Sequence, residues 1–365
     1  MKSENPLKDV DQAGLDRVRQ LIKPLSEFRE SHPEFLKPAD ATADDRPPIA
    51  DAIRASIFSG QKLQDLNLPE RRKLIADWFL EGDYGIIFGS RGLGKSWLAL
   101  GLASALATKG TFGPYQSEVE FAVLYVDGEM YLSTIRERIL ALKGSCPENL
   151  CILNHEVLFR EGQTTVNIAT TDTQNAILDV CLALGIKAVV FDNLSCLASG
   201  VAENKSEDWE PIKMFFLNLR RHQIAVILVH HAGRTGLDLR GTSRREDDVS
   251  WIVRLNEPAD IKESHSAGAR FTTTFTKNRN APLDPKNYNW AIEPADDGSV
   301  KARASETSSD DVIIGWVRLG VDSAKDIASE MGVSPGTISK RAKKLIDARR
   351  LEKSGRYYTL GPLEQ

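Results

Sequence analysis

A glycine-rich segment that ends in a lysine and a serine is the part of this sequence best suited to chemistry. Residues Gly89-Ser90-Arg91-Gly92-Leu93-Gly94-Lys95-Ser96 fit the pattern G-x-x-x-x-G-K-[ST]. The glycines let the backbone curl so that its N–H groups point at phosphate oxygens, and a following helix adds the positive end of its dipole. The Lys95 ammonium suits β- and γ-phosphates, and the Ser96 hydroxyl suits Mg²⁺. The segment therefore predicts a site for ATP with Mg²⁺.

Two acidic positions could complete this site. Asp192 ends an apolar run, Ala188–Phe191, and we expect it to hold the metal through water. Glu129 follows another apolar run, and we expect it to orient the water that attacks the γ-phosphate. Asp127 is the alternative for that role. A solvated turn acid is the plain alternative for Glu129 and Asp127 alike.

The elements that must position these residues follow from the order of apolar runs. Such runs alternate with amphipathic stretches between about residues 55 and 295, which is typical of buried parallel strands separated by helices. This predicts an α/β doubly wound core, with a helix over Lys95–Thr108 and a closing hairpin near Trp290. The predicted strands are Tyr84–Phe88, Phe121–Val126, Ala188–Phe191, Ile224–Val229 and Phe271–Thr276.

Several of these segments together resemble a known group of proteins. The set FGSRGLGKS, VLYVDGE, VVFDN and ILVHH, followed by LRGTSRREDDVSWIVRL, resembles the RepA-type plasmid helicases and their RecA-like relatives over about residues 60–290. The DnaB-family helicases are more distant kin. The resemblance implies a RecA-like P-loop ATPase core, hydrolysis of ATP at subunit interfaces, and a homo-oligomer, often a ring of six.

The resemblance also suggests roles for four further residues. Lys277 and Arg279 stand where DnaB-type proteins carry K-x-R-N-G, with Ala281 in place of the glycine. By that likeness they reach the neighbouring subunit's γ-phosphate; an exposed basic turn is the plain alternative. His230 and His231 stand where such proteins place a γ-phosphate sensor, although the usual residue in DnaB-type proteins is Gln. A metal site at the two histidines is disfavoured, because no cysteine or acid at ligand spacing completes one.

Two loops at the same edge of the sheet are expected to face single-stranded DNA. The first spans Leu197–Glu210 and contains Gly200 and Lys205. A flexible loop bearing arginines can follow phosphates without reading bases. The second loop, Ala232–Glu246, carries Arg234, Arg240, Arg244 and Arg245. For this loop, a nucleotide-sensing role without DNA contact is the alternative.

The C-terminal segment predicts a winged helix-turn-helix. Helices are expected over Asp310–Arg318, over Ala324–Met331, and from Ser334 with Pro335 in its first turn, followed by strands around a glycine turn. Residues 334–356 hold eight basic and two acidic residues. Such a domain places its third helix in the major groove of duplex DNA and its wing on the phosphates. A domain used for protein contacts is the alternative. The residues expected to contact DNA are Lys340, Arg341, Lys343, Lys344 and Arg356.

Length and composition set the remaining expectations. The 365 residues predict a polar arm (1–54), the ATPase domain (55–292), a linker (293–308) and the winged-helix domain (309–365). The net charge of −4 does not itself indicate nucleic-acid binding. Four widely spaced cysteines indicate reduced thiols, and no run of about 20 apolar residues indicates a membrane span, so a cytoplasmic protein is expected.

These observations leave two main functions open. The first is an ATP-driven helicase or replication protein of a plasmid or other mobile element. The second is a non-translocating regulator, initiator or helicase recruiter, in which ATP controls only assembly on DNA. A KaiC-like or recombination-type RecA relative is a weaker third hypothesis, disfavoured by the C-terminal segment.

Overall fold

The computed structural model describes residues 48–162, 165–201, 206–232, 246–257, 268–280, 286–295, 297–331 and 333–364. The chain divides into two compact units. In the first, the described residues are 48–72 and 179–185. It contains α1 (Ile49–Ala55) and α2 (Gly60–Asp65), whose larger apolar side chains are exposed. The second unit holds the remaining residues and the features that bear on function.

A nine-stranded sheet forms the centre of the second unit, and its strands lie in the order β13-β12-β11-β10-β3-β9-β8-β6-β7. Strands β10, β3, β9, β8, β6 and β7 are parallel, and β11, β12 and β13 extend the sheet in antiparallel fashion. The predicted α/β class is therefore confirmed. The strands are β1 (Lys73–Ile75), β2 (Phe79–Leu80), β3 (Tyr84–Gly89), β4 (Thr111–Phe112), β5 (Tyr115–Gln116), β6 (Val123–Asp127), β7 (Leu150–Asn154), β8 (Ala188–Asp192), β9 (Ala225–His231), β10 (Trp251–Asn256), β11 (Ala269–Asn278), β12 (Tyr288–Pro294), β13 (Val300–Glu306), β14 (Leu351–Ser354) and β15 (Tyr357–Leu360).

Helix α3 (Lys95–Ala107) packs at the centre of this sheet. In α3, eleven of thirteen residues are buried, because small Ala and Gly side chains let it approach the parallel strands closely. Among the helices of the described ranges, none is long and apolar enough to cross a membrane. The remaining helices are α3 (Lys95–Ala107), α4 (Leu132–Lys143), α5 (His155–Arg160), α6 (Thr171–Ala183), α7 (Leu194–Leu197), α8 (Ser206–Arg221), α9 (Ser309–Arg318), α10 (Ala324–Glu330) and α11 (Pro335–Asp347).

The predicted linker over residues 293–308 is wrong. Its residues Val300–Glu306 form β13, which pairs along its whole length with β12. The inward positions Val300, Ala302 and Ala304 pack against the main core, while the positions between them face solvent. Residues 293–308 thus extend the ATPase sheet instead of separating it from the C-terminal segment.

The C-terminal segment has a core of its own, made by α9, α10, α11 and the β14–β15 hairpin. Ser308, Ser323 and Ser334 cap its three helices by accepting a hydrogen bond from the N–H three residues later. Gly355 takes a φ of +63° at the hairpin turn. The helix and strand positions predicted for this segment agree with the structure to within a few residues.

This segment also contacts the sheet. Arg254 of β10 is fully buried, and its guanidinium lies 3.9 Å from the centre of the Trp316 ring of α9. Arg254 Nε donates to Asn256 Oδ1 at 2.5 Å. A cation facing an aromatic ring in a desolvated position contributes about 2 kcal/mol. The contact joins α9 to the strand that lies beside β3.

Candidate active site

The glycine-rich segment lies between β3 and α3, as predicted. Gly92 and Gly94 have φ values of +79° and +96°, which side chains rarely adopt. A Cβ at Gly94 would lie 2.6 Å from the Cβ of Ala269, so the hairpin of β10 and β11 closes one side of the loop. Helix α3 begins at Lys95 and points its N-terminus at the loop. The local structure is that of a phosphate-binding loop.

The ends of the neighbouring strands bring the other polar groups beside this loop. Gly89 is in register with His231, and Asp127 is in register with both Asp192 and Asn154. Parallel strands place their carboxyl ends at one edge of the sheet, so these residues form a row next to the loop. His231 and Asp192 of this row, together with the loop, border a cleft of about 290 Å³. The lining residues are Arg91, Gly92, Gly94, Lys95, Ser96, Trp97, Glu129, Met130, Arg138, Asp192, Asn193, His231, Gly268 and Ala269.

Lys95 is held at the floor of the cleft. Its Nζ donates to the carbonyl oxygens of Gly89 at 3.1 Å and Ser90 at 2.7 Å. Burial lowers the pKa of Lys95 to about 8, although Asp192 and Glu129 oppose this shift. The ammonium is thus poorly solvated, which favours an incoming polyanion.

Asp192 is 2% exposed at the end of β8, where burial raises its pKa. Tyr125 Oη donates to Asp192 Oδ2 at 2.5 Å, and the Ser96 hydroxyl also hydrogen-bonds this carboxylate; both interactions oppose the shift. The two predicted metal ligands, Ser96 and Asp192, therefore lie in direct contact. A hydroxyl and a carboxylate beside a phosphate cradle suit Mg²⁺, which takes few protein ligands and completes its shell with phosphate and water.

Glu129 and Asp127 occupy different environments. Asp127 is fully buried, and its Oδ2 accepts hydrogen bonds from the N–H groups of Met130 at 2.9 Å and Glu129 at 3.3 Å and from Asn154 Nδ2 at 3.1 Å. Burial raises the pKa of Asp127 to about 7. Glu129 is exposed to the cleft, where Asn193 Nδ2 donates to its Oε2. Asp127 therefore shapes the turn, whereas Glu129 is the acid that can meet a water molecule.

The predicted trans-acting cations lie away from this cleft. Lys277 pairs with Ile252, which is in register with Ile86, three residues before the end of β3. That places the main chain of Lys277 roughly 10 Å along the strands from the phosphate loop, on the far side of β10. Its Nζ donates to the Glu246 carbonyl, and Arg279 Nη2 donates to the Asp247 carbonyl at 2.8 Å. Neither cation lines the cleft of its own chain.

The other predicted positions divide as follows. His231 lines the cleft, whereas His230 is 1% exposed and does not. Gly200 lies within the described ranges, and the first predicted loop is shorter than expected, since α8 begins at Ser206. Lys205 and the four arginines of the second loop, Arg234, Arg240, Arg244 and Arg245, lie outside the described residues.

Two lining residues carry no motif that could have identified them. Arg138 lies on α4, and its guanidinium is 4.9 Å from the centre of the Trp97 ring on α3. Both side chains border the cleft. Only the packing of α4 against α3 brings Arg138 to the cleft, so the sequence offers no local signal for it.

A comparison of sequences places the phosphate loop within a known protein family. The pattern of the family described as "AAA domain" matches residues 52–236. The chain belongs to the AAA domain family. This AAA-domain protein is a P-loop ATPase, and the matched region carries Lys95, Ser96, Glu129 and Asp192. No curated protein was found to match it.

Solved structures show a distant likeness to this AAA-domain protein. A KaiC-like protein from Pyrococcus horikoshii OT3 is 17% identical with a TM-score of 0.44, covering 64% of this chain and 98% of that one. The flagellar accessory protein FlaH from Methanocaldococcus jannaschii is 14% identical with a TM-score of 0.42, covering 61% of this chain and 89% of that one.

Proposed function

We propose that this protein is an ATP-hydrolysing, DNA-binding motor, a RepA-like helicase or replication protein of a mobile element that acts as a homo-oligomer. The observation that carries the proposal is that cationic groups lie at opposite ends of the strands of one sheet. Lys95 and Arg138 line the cleft, while Lys277 and Arg279 lie toward the opposite edge. A second copy of the chain would bring the latter pair to the cleft of the first.

Each residue of the cleft has a role in this proposal. The loop N–H groups and Lys95 bind the β- and γ-phosphates of ATP, and Ser96 and Asp192 hold Mg²⁺. Bound Mg²⁺ supplies neutralisation of the charge that develops on the phosphate oxygens. Glu129 orients the attacking water and accepts its proton, while Asn193 fixes the direction of the carboxylate. Arg279 of a neighbouring copy stabilises the transferring phosphoryl group.

The C-terminal segment supports binding of duplex DNA as a winged helix. Its third helix, α11, buries Ile338, Ala342 and Leu345 and exposes a basic face. Arg341 is a weaker contributor than predicted, because it donates to Asp310 Oδ1 of α9 at 3.0 Å. The predicted contact residues that are exposed are Lys340, Lys343, Lys344 and Arg356, of which Arg356 donates its Nε to Tyr357 Oη at 2.9 Å.

A strand-displacement assay tests the motor. We expect the protein to separate a forked duplex with ATP and Mg²⁺, and single-stranded DNA to stimulate hydrolysis. Glu129→Gln should retain ATP binding and lose displacement. The control is Glu137→Gln, an exposed acid of α4 that does not line the cleft. Hydrolysis that is insensitive to single strands, with no displacement on any fork polarity, would exclude the motor.

The Arg254–Trp316 contact favours a second candidate function, the ATP-controlled regulator. Because Arg254 is in register with Phe88, one residue before the phosphate loop, a change in the loop could alter how α9 sits on the sheet. In this candidate, ATP changes affinity for a duplex site and nothing is unwound. A nucleotide-dependent shift in duplex affinity without displacement would favour the regulator over the motor.

A further inference from the structure

The main chain around Arg279 is fixed by hydrogen bonds on both sides. Arg279 N donates to the Ser250 carbonyl at 2.9 Å, just beyond the end of β11. The next residue, Asn280, donates its Nδ2 to Asp83 Oδ2 at 2.6 Å and to the Trp78 carbonyl at 2.9 Å. The Arg279 side chain itself is exposed. The chain thus presents an exposed arginine, whose Nη2 donates to the Asp247 carbonyl at 2.8 Å, from a segment that is hydrogen-bonded on both sides.

Asp83, which accepts the hydrogen bond from Asn280, is itself held rigidly. It is 1% exposed and lies in the turn between β2 and β3. Its Oδ2 also accepts the N–H of Leu80 at 2.8 Å, and its carbonyl accepts the N–H of Val226 at 2.7 Å. A side chain bonded on several sides is held in one orientation, which is what precise placement of a partner requires.

The second acceptor is held by aromatic packing. The Trp78 ring makes edge contacts with the rings of Trp251 at 4.9 Å and Phe275 at 5.1 Å. These two residues belong to β10 and β11, the hairpin that leads into Arg279. The Trp78 carbonyl is therefore held in place beside β10 and β11, and Asn280 follows shortly after the end of β11.

The hydrogen bond between Asn280 and Asp83 also lies at one end of β3. Asp83 immediately precedes this strand, and Gly89 ends it at the phosphate loop. Five residue steps separate Tyr84 from Gly89, or roughly 16 Å along the strand. One strand thus sets the distance between a chain's own phosphate site and the cations that it offers to a neighbour.

We propose that Asn280, through Asp83, is a positioning residue that aims Arg279 at the phosphate site of a neighbouring copy. This inference rests on the proposed function, in which Arg279 acts in trans. Asn280 does not touch nucleotide; it fixes the backbone from which Arg279 projects. Misplacement of a catalytic group by about 1 Å can cost on the order of 100-fold in rate.

Steady-state ATP hydrolysis of the full-length protein tests the proposal by a double-mutant cycle. We expect Asn280→Ala to lower kcat roughly tenfold or more with an unchanged KM for ATP, because the loss falls on the transition state alone. Arg279→Ala should lower kcat further. The double variant Arg279→Ala/Asn280→Ala should match Arg279→Ala alone, because Asn280 acts only through Arg279.

A matched control separates positioning from general stability. Asn289→Ala removes an amide that accepts from Thr272 Oγ1 at 2.7 Å on β12 of the same sheet, away from Arg279. It should change the melting temperature about as much as Asn280→Ala does, and leave kcat within about twofold. If Asn280→Ala does not fold, Asn280→Ser is the milder variant, since it keeps a polar group at this half-buried position but is too short to bond both Asp83 Oδ2 and the Trp78 carbonyl.

The outcomes distinguish the positioning role of Asn280 from the proposed trans role of Arg279. A large loss in Arg279→Ala with Asn280→Ala equal to the Asn289→Ala control would overturn the positioning role and leave the proposed function intact. Losses that multiply in the double variant would also overturn it, because Asn280 would then act independently of Arg279. An unchanged rate in Arg279→Ala would remove the trans cation and the positioning role together.

Discussion

Three ionisable groups in or directly beside the cleft are buried, so that water solvates them poorly. Burial lowers the pKa of Lys95 to about 8 and raises the pKa of Asp127 to about 7, and it raises that of Asp192 as well. Lys95 donates to the Gly89 carbonyl, Asp192 accepts from Tyr125 Oη, and Asp127 accepts from the Met130 N–H. The cleft therefore holds its polar groups ready before nucleotide arrives, which lowers the reorganisation needed in the transition state.

The exposed acid of the cleft should be the one that hydrolysis needs. We expect Glu129→Gln to lower kcat by about 10²–10⁴-fold while ATP affinity stays within about threefold. Single-turnover hydrolysis and binding of a fluorescent ATP analogue measure the two quantities, with Glu137→Gln as the control. A normal rate in Glu129→Gln, together with a large loss in Asp127→Asn, would transfer the role to Asp127.

The lowered pKa of Lys95 predicts how nucleotide affinity depends on pH. Bound phosphates favour the protonated lysine, so affinity should be greatest below pH 8 and fall as the pH rises through about 8, where the free site loses its proton. The fall should approach tenfold per pH unit, and Lys95→Met should bind weakly with little dependence on pH above 7.5. Titration of a fluorescent ATP analogue between pH 7.5 and 9.5 gives the slope. Equal slopes in both proteins would assign the titration to another group.

At the scale of elements, local patterns predicted the segments whose signals are local. The phosphate loop, the apolar strand before it and the helices α9, α10 and α11 depend on neighbouring residues alone. Strand β13 was hidden because its inward positions include Ala302 and Ala304, which give a weak alternation. Strand β10 was hidden because Arg254 interrupts its apolar run. Arg254 is nevertheless buried, and Trp316, more than 60 residues later in the chain, packs its ring over the guanidinium.

The same distinction applies to the site. Lys95, Ser96, Asp192 and Glu129 could be predicted because each follows an apolar strand at the edge where ligands bind. Arg138 could not, because it reaches the cleft through helix packing. The ion pair of Arg341 with Asp310 depends on the fold of the C-terminal segment as well, which the charge of α11 alone does not reveal.

The contact between α9 and the sheet makes a prediction about elements. Trp316→Ala should destabilise the protein by about 3–5 kcal/mol, as truncation of a buried tryptophan does. Arg254→Met keeps the aliphatic length and removes the cation. In a double-mutant cycle measured by urea unfolding, we expect a coupling of about 0.5–2 kcal/mol between the two changes. Additive effects would mean that Trp316 packs on the sheet without using the charge of Arg254.

At the scale of the whole molecule, the proposed reaction site would draw on both ends of the strands: the phosphate loop of one copy and the cations of another. Strand β3 runs from the Asp83 turn, which holds the segment of Arg279, to Gly89 at the phosphate loop. In an assembly, this geometry would link each site to the next one.

Mixing of subunits tests whether the two halves work between copies. Lys95→Ala subunits cannot use their own cleft but still carry Lys277 and Arg279. We expect wild-type protein mixed with an excess of Lys95→Ala/Arg279→Ala subunits to hydrolyse ATP at least tenfold more slowly per wild-type subunit than with Lys95→Ala subunits, because a trans cation contributes about 10³–10⁵-fold. The matched control is Lys95→Ala/Arg303→Ala, which removes an exposed arginine from β13 of the same sheet. Equal rates with all three partners would mean that Arg279 serves no neighbouring site, whereas a loss confined to the Arg279 variant would place the active site between copies of the chain.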